Sequence, residues 1–196
     1  MKPLVGSRYA GAMQADVQFR RIATQRLSIR RSRPGDAATI SGYRSDPEVH
    51  RYQGWDSTDA ASITAEIEEM AARSPGDPGG WVQFTVEERD AGRLVGDVGM
   101  SPADDEPGVI KIGYTVSPAF QGRGYATEAV RALIAYAFDT LGADVVRAYA
   151  SAENAPSIRV AEKVGMRLVE RFEGIDDGVR WFGVRYEIPR AEWSRA

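Results

Sequence analysis

The spacing of apolar residues divides the chain into a strand-rich first half and a helix-rich second half. In the first half, apolar and polar residues alternate over short segments, a pattern typical of half-buried strands. This alternation predicts strands over residues 26–31, 81–88, 94–100 and 109–116. Two helices, over 37–44 and 58–73, are expected between the first two of these strands. The last three strands are joined by short turns, which favour antiparallel neighbours.

A helical repeat begins after residue 124. Apolar residues recur with a 3.6-residue period over 125–141, which is the clearest helix signal in the chain. Gly142 ends this helix, because glycine readily adopts the left-handed conformation found there. The remaining predicted elements are a strand over 145–152, a helix from Asn154 to Gly165, and strands over 167–173 and 180–188. The β-α-β unit through 109–152 should place two strands side by side in parallel.

These elements predict an α/β fold, with a mixed and largely antiparallel sheet of about seven strands flanked by about four helices. Residues 1–22 show no sustained periodicity and are expected to form a loose N-terminal extension. A single domain is therefore expected over 23–196, a length that suits one domain. We find no apolar stretch that could cross a bilayer or act as a secretory signal, so a cytoplasmic protein without membrane contact is expected.

The composition removes several kinds of chemistry. Cysteine is absent and histidine occurs once, at His50. A disulfide framework, a thiolate nucleophile and the usual zinc sites are therefore excluded, and we expect no metal. The formal net charge of −3 argues against a broad nucleic-acid surface. Catalysis would have to rely on hydroxyls, carboxylates and backbone amides, or on a bound cofactor.

One cluster of positive charge departs from this near-neutral balance. It contains no acidic residue and consists of Arg20, Arg21, Arg26, Arg30, Arg31 and Arg33. Leu27 and Ile29 alternate with polar neighbours inside the cluster, so we interpret it as the solvent side of the first strand. A phosphate-binding arm is the alternative interpretation.

The strongest candidate for a binding site is the junction between the strand that ends at Val116 and the helix over 125–141. Gly122 and Gly124 lie in the connecting turn, where glycine lets the backbone approach a ligand closely. The first amides of a helix lack partners within the helix and carry partial positive charge. Such a junction can bind a phosphate, although a tight turn chosen only for its geometry fits the spacing equally well. A dinucleotide fingerprint is disfavoured, because Thr127 occupies its third glycine position.

Two motifs, taken together, resemble a known family. Gln121-Gly-Arg-Gly-Tyr-Ala126 resembles the Gln/Arg-x-x-Gly-x-Gly/Ala motif of the GCN5-related N-acetyltransferases (GNAT). Asn154-Ala-Pro-Ser157, followed by Lys163-Val-Gly-Met166, is similar to the RimJ/RimL branch, which acetylates ribosomal protein N-termini. The resemblance covers roughly residues 24–193, and the two motifs lie about thirty residues apart, as the family requires.

This resemblance implies a GNAT fold whose central parallel strand pair splays into a V. It also implies acetyl-CoA as the acyl donor, attacked directly by a primary amine. The acceptor would be a protein N-terminus or a small amine, such as a polyamine or an aminoglycoside-like antibiotic, and the family habit suggests a homodimer. The residues expected to hold acetyl-CoA are Thr115, Val116, Gln121, Gly122, Arg123, Gly124, Tyr125, Ala126, Thr127, Asn154 and Ser157.

The resemblance also implies the catalytic groups. Ser157 or Tyr114 would protonate the departing thiolate, and Glu173 or Asp176 would act as the general base. Considered without the family, Ser157 is a first-turn helix residue, Tyr114 a core residue, and the two acids are surface or turn residues. Asn154, likewise, is first of all a helix N-cap.

The acceptor side is the least defined part of the site. It is expected to involve Tyr52, Trp55, Trp81 and Asp97, of which Asp97 is also a third candidate for the base. Core packing is the alternative for the aromatic residues. Two other functions keep the fold: a non-catalytic regulator that binds acyl-CoA, and an enzyme that uses another donor such as succinyl-CoA.

Overall fold

The computed structural model describes residues 13–55, 57–176 and 179–194. It contains one eight-stranded sheet with the strand order β1-β2-β3-β4-β5-β6-β8-β7. The strands are β1 Arg21–Ala23, β2 Leu27–Arg31, β3 Val82–Glu88, β4 Leu94–Pro102, β5 Val109–Val116, β6 Val145–Ser151, β7 Arg167–Asp176 and β8 Val179–Pro189. The α-helices are α1 Ala37–Arg44, α2 Pro47–His50, α3 Ala60–Ala71, α4 Tyr125–Asp139 and α5 Ala155–Lys163.

The predicted α/β class and the predicted order of elements are confirmed, with two short additions. β1 adds a strand at one edge of the sheet, and α2 adds a single helical turn after α1. Both are too short for periodicity to reveal, since a pattern needs several residues to stand out. None of the helices in the described ranges is long and apolar enough to span a membrane.

β5 and β6 form the parallel pair that the β-α-β unit predicts. Their register runs from Val109 opposite Val145 to Ile112 opposite Ala148, where the pairing stops. β5 nevertheless continues to Val116 and β6 to Ser151. The two strands therefore separate, and we call the gap between 113–116 and 149–151 the split. The split is the V that the family resemblance implies.

Different helices cover the two faces of the sheet. One face packs against α4 in a core that includes Phe84, Met100, Ile110 and Leu133. The full burial of each such side chain contributes about 2 kcal/mol of hydrophobic stabilisation. The opposite face packs against α1 and α3 through a smaller cluster centred on Ile40, Tyr43, Ile63 and Ile67. We refer to these surfaces as the α4 face and the α1 face.

Residues 13–22 pack against the domain and do not form the expected loose extension. The Gln14 amide donates to the Leu141 carbonyl at 2.9 Å, on the loop that follows α4. The Phe19 ring lies 4.9 Å from the ring of Phe84 and 5.5 Å from that of Tyr136, measured between centroids. These contacts join residues distant in sequence, which is why local periodicity did not indicate them. The rest of the predicted extension lies outside the described residues.

The two strands of the C-terminal hairpin lie in the sheet in the reverse of their order along the chain. β8 pairs with β6, and β7 pairs only with β8 among the described strands. β7 is therefore an edge strand, and the hairpin extends past the end of β6. This placement decides which C-terminal residues can approach the split.

Candidate active site

The turn before α4 presents a run of unpaired backbone amides. Within the described residues, the N–H groups from Gly122 to Thr127 donate to no protein acceptor. Gly122 and Gly124 have φ angles of +75° and +79°, a region that favours glycine. These amides lie at the positive end of the α4 dipole, an arrangement that can bind an anion such as a diphosphate. We call the run from Gly122 to Thr127 the amide cradle.

Arg26 holds the amide cradle in place. Its guanidinium donates to the Arg123 carbonyl at 2.9 Å and pairs with Glu128, in the first turn of α4, at 2.6 Å. Burial raises the pKa of Glu128, but hydrogen bonds from Thr24 and Arg26 outweigh this effect, and the net pKa is lowered. Sequence reasoning missed this role of Arg26, although the arginine cluster was its signal.

The side chains of the cradle motif turn back onto the protein. Gln121 donates to the Val116 carbonyl at 3.0 Å, which ties the turn to the end of β5. Arg123 donates to the Ala119 carbonyl at 3.0 Å, and its guanidinium lies over the Phe120 ring. Tyr125 donates to Glu88 on β3 at 2.6 Å. Ala126 and Thr127 are half-buried in the first turn of α4. The motif therefore offers its backbone to a ligand, and its side chains stabilise the turn.

The register of β4 and β5 decides which amides face the split. The Ser117 amide donates to the Val95 carbonyl at 2.9 Å, so these opposite residues form a hydrogen-bonded pair. Because such pairs alternate along an antiparallel ladder, the Thr115 backbone points toward β4. The backbone groups of Tyr114 and Val116 point into the split. The resemblance implied that Thr115 and Val116 would pair with the pantetheine arm. The register turns the Thr115 backbone toward β4, so Tyr114 and Val116 are the residues whose backbone faces the split.

Tyr114 and Ser157 meet across the split. The two hydroxyl oxygens lie 2.8 Å apart, and the Tyr114 hydroxyl is also 2.9 Å from the Ser157 carbonyl oxygen. When the phenol donates to that carbonyl, the Ser157 hydroxyl can donate to the phenol oxygen. Burial raises the pKa of Tyr114 to about 12, with an opposing effect of the Ser157 hydrogen bond. The phenol is therefore protonated near neutral pH and can act as an acid.

Asn154 fixes the position of Ser157. Its side-chain oxygen accepts a hydrogen bond from the Ser157 amide at 3.1 Å and so caps α5. This is the role that the residue type alone predicts. Asn154 and Ser157 thus belong to one helix start, which places the serine hydroxyl beside Tyr114 and near the positive end of the α5 dipole.

Asp97 lies on the α1 face of β4 in a buried polar network. It is only 4% exposed and accepts hydrogen bonds from the Tyr43 hydroxyl and the Gln83 amide. Burial raises its pKa, opposed by the charge of Arg44 and by these two hydrogen bonds. Gln83 in turn accepts from the Trp81 indole N–H at 2.7 Å. The structure therefore connects two of the predicted acceptor-side residues, Asp97 and Trp81, through Gln83.

Trp81 lies against the backbone of β4 and β5. A Cβ atom on Gly113 would come within 3.1 Å of the indole ring, and one on Gly99 would overlap it. Because neither glycine carries a side chain, the ring rests on both strands at the level where the split begins. Its role on the acceptor side stays a prediction.

Tyr52 and Trp55 occupy the segment after α2, and both are half-buried. The guanidinium of Arg51 lies over Tyr52, and that of Arg44 lies over Trp55 at 4.6 Å from the ring centroid. The same segment approaches β5, where Gln53 donates to the Thr115 hydroxyl at 3.4 Å. These contacts place Tyr52 and Trp55 on the α1 side of the molecule.

Of the two predicted bases on β7, Glu173 lies away from the Tyr114–Ser157 pair. Glu173 lies on the edge strand, three strand spacings from β5, a separation on the order of 14 Å. Its carboxylate is exposed and pairs with Arg180 at 3.4 Å. Asp176 ends β7, and its side chain lies outside the described residues.

Residues 26–167 match the model of the acetyltransferase (GNAT) domain. The chain is 30% identical to the uncharacterized N-acetyltransferase YnaD of Bacillus subtilis, over 88% of this chain and 99% of the relative. The chain belongs to the GNAT acetyltransferase family. The resemblance carried by the cradle motif and the α5 motif is therefore confirmed.

Solved structures agree with this assignment. A GNAT-family acetyltransferase from Bacillus anthracis has a TM-score of 0.77 and 27% identity, covering 88% of this chain and 99% of its own. RimJ from Mycobacterium smegmatis, solved in complex with CoA-disulfide, has a TM-score of 0.74 and 21% identity, covering 90% of this chain and 88% of its own. At that identity, the likeness to RimJ shows the GNAT fold that the two chains share.

Proposed function

We propose that this GNAT protein transfers an acetyl group from acetyl-CoA to a primary amine by direct attack. The observation that carries the proposal is the hydroxyl pair of Tyr114 and Ser157, which stands across the split beside the amide cradle. A site with paired hydroxyls and free amides suits a thioester donor, because the donor is already activated and needs no nucleophile from the protein.

The amide cradle fits the diphosphate of coenzyme A. A diphosphate needs several hydrogen-bond donors in one concave stretch, and the N–H groups from Gly122 to Thr127 lack protein acceptors in the described structure. The CoA-disulfide complex of the RimJ relative with the same fold supports this choice. The pantetheine arm would lie along the split, where the backbone groups of Tyr114 and Val116 face outward from the ladder.

Acetyl-CoA supplies a thioester whose carbonyl carbon forms the new C–N bond as the C–S bond breaks. The backbone N–H of Tyr114 or Val116 would stabilise negative charge on the carbonyl oxygen. The Ser157 or Tyr114 hydroxyl would give its proton to the departing sulfur, the other hydroxyl would replace that proton, and solvent would return one to the pair. The N-terminus of α5 adds a favourable field for the thiolate.

The proton lost by the amine needs a separate acceptor. Asp97 is the only carboxylate on β4 and β5, but both of its oxygens already accept hydrogen bonds. We assign to Asp97 the positioning of Trp81 through Gln83. Asp176 stays a prediction as the general base.

Two measurements test this function. Calorimetry with acetyl-CoA, succinyl-CoA, CoA and NAD should show binding of CoA species and none of NAD. A thiol-release assay over a panel of amines should then show turnover with acetyl-CoA. Binding of NAD without CoA would overturn the donor assignment. Tight CoA binding with no turnover on any amine or peptide would instead support the non-catalytic regulator, and faster turnover with succinyl-CoA would change the donor.

A further inference from the structure

Three aromatic rings form a continuous surface on the α1 face, beside the split. Tyr149 is the first residue of β6 beyond the parallel pairing and points away from the α4 core that contains Ala148. Its ring meets that of Phe172 on β7 at 6.0 Å and 81°. The Phe172 ring meets that of Trp181 on β8 at 5.5 Å and 83°. We call Tyr149, Phe172 and Trp181 the aromatic shelf.

Glycines make room for the shelf. A Cβ atom on Gly174 would come within 2.6 Å of the Trp181 ring, and one on Gly183 would overlap Phe172. Glycine weakens a strand by roughly 0.5–1 kcal/mol, so two glycines in one hairpin carry a cost. They allow the rings to lie on the backbone itself. Even so, Tyr149 and Trp181 remain 48% and 42% exposed.

The shelf begins at the split. The last parallel pair is Ile112 with Ala148, so Gly113 and Tyr149 are the next residues on the two strands. Trp81 covers Gly113 on the same face. Trp81 and Tyr149 therefore flank the two sides of the split at one level. A molecule that approaches the hydroxyl pair from the α1 face passes between them.

The charges around the shelf do not suit a polycation. Glu170 and Glu187 lie beside the shelf on this face, and Glu153, just after β6, pairs with Arg51 at 3.6 Å. Glu170 pairs with Arg185 at 3.1 Å, and Glu187 pairs with Arg147 at 2.6 Å. Asp97 is buried and already accepts two hydrogen bonds. Carboxylates held by arginines offer little to a polyamine or an aminoglycoside, whereas the aromatic rings offer a large apolar surface.

We propose that the acceptor is a monoamine with an aromatic or large apolar group next to its reactive nitrogen, and that this group packs on the aromatic shelf. The inference rests on the proposed function and narrows its acceptor class. The chemistry is shared by two sources, a peptide with an aromatic N-terminal residue and a free arylalkylamine.

The test measures kcat/KM for thiol release with five acceptors at saturating acetyl-CoA. These are 2-phenylethylamine, a phenylalanine-initiated peptide, the same peptide initiated by glycine, spermidine and an aminoglycoside. The kcat/KM for 2-phenylethylamine and for the phenylalanine-initiated peptide should exceed that for the glycine peptide and the polycations by about tenfold or more. Apolar contacts with a substrate commonly have an effect of this size. The aromatic acceptor with the higher kcat/KM shows whether the natural acceptor is a peptide or a free arylalkylamine. Higher kcat/KM for spermidine or the aminoglycoside would overturn the inference and leave the acetyltransferase function intact.

Variants test whether the aromatic shelf causes the preference for aromatic acceptors. Trp181→Ala should lower kcat/KM for the aromatic acceptors about tenfold and leave the glycine peptide nearly unchanged, while Trp181→Phe retains the preference. Phe182→Ala is the matched control, because Phe182 is 54% exposed and lies on the opposite face of the same strand. CoA affinity in each variant confirms folding. An equal effect of Trp181→Ala and Phe182→Ala would overturn the shelf assignment. The absence of turnover on every acceptor would refute the proposed function, and this inference with it.

Discussion

The hydroxyl oxygens of Tyr114 and Ser157 lie 2.8 Å apart and link β5 to the first turn of α5. Tyr114 belongs to β5, beyond the last residue that pairs with β6, and Ser157 lies in α5, which follows β6 in the chain. The hydrogen bond therefore spans the split, where the two strands no longer bond to each other.

We expect Ser157→Ala and Tyr114→Phe each to lower kcat about a hundredfold while the KM for acetyl-CoA stays close to wild type. The physical reason is that a positioned acid acts on the departing sulfur in the transition state and contributes little to ground-state binding. Steady-state thiol-release kinetics check this expectation. The double variant should lose little more than the worse single variant, because the two hydroxyls act as a unit.

Tyr136→Phe is the matched control for the hydroxyl pair. It removes a phenol that donates to Asp16 at 2.8 Å, on the far side of α4. Its kcat should remain within about twofold of wild type, by the additivity expected of distant sites. Additive losses in the double variant, or a Tyr136→Phe loss equal to that of Tyr114→Phe, would show that the pair is structural.

Gly124→Val should weaken CoA binding at least tenfold. A β-branched residue at a φ of +79° is strained by about 2 kcal/mol, and relief of that strain would reshape the amide cradle. Gly92→Val is the control, since Gly92 has a φ of +65° in open space in the β3–β4 turn. Calorimetry should find the CoA Kd changed only in Gly124→Val, although urea denaturation should find both variants destabilised. An unchanged affinity of Gly124→Val for CoA would show that the amide cradle does not bind CoA.

Arg26→Ala should raise the Kd for CoA about fivefold, which corresponds to about 1 kcal/mol for a lost hydrogen bond. Arg26 holds the Arg123 carbonyl and Glu128, so its loss would loosen the turn before α4. Arg89→Ala removes the same charge from a neighbouring arginine that bonds the Thr24 carbonyl instead. Calorimetry at fixed ionic strength compares the two variants. An equal loss of CoA affinity in both variants would indicate a long-range charge effect and contradict the role of Arg26 in holding the turn.

Asp97→Asn should become more stable relative to wild type as the pH rises from about 4, the unfolded-state pKa region of aspartate. Burial raises the folded-state pKa of Asp97. Between the two pKa values the native state therefore binds the extra proton, and wild-type stability falls with pH. The difference should level off above the folded-state pKa. Urea denaturation at several pH values measures it.

Asp36→Asn should show the opposite pH dependence: its stability relative to wild type should fall as the pH rises toward the unfolded-state pKa of aspartate. Burial raises the pKa of Asp36, but hydrogen bonds from Arg30, Arg33 and Thr85 outweigh it and the net pKa is lowered. Asp36 thus stabilises the protein above its unfolded-state pKa, and that contribution is lost as the pH falls. Slopes of the same sign for Asp97→Asn and Asp36→Asn would contradict at least one of the two pKa directions.

Local patterns predicted most of the elements but not the shape of the C-terminal hairpin. Residues 167–173 and 180–188 were expected as closing strands, and both occur in longer strands. Either strand of a hairpin can pair with the sheet, and chain order does not say which. The structure inserts β8 next to β6, so Glu173 lies on the edge strand, away from the split. Its expected role as a base came from the family resemblance, and its place in the sheet depends on a strand pairing that periodicity does not encode.

The sequence by itself determined the cradle, because a strand end, two glycines and a helix start are consecutive residues that obey local rules. It also supplied both hydroxyls, as alternatives for one role. Only the tertiary structure decided that the Tyr114 and Ser157 hydroxyls meet, and that Tyr114 in place of Thr115 presents its amide to the split. The reason is physical: strand register and the point where β5 leaves β6 depend on packing between distant segments. No local pattern in the chain carries that information.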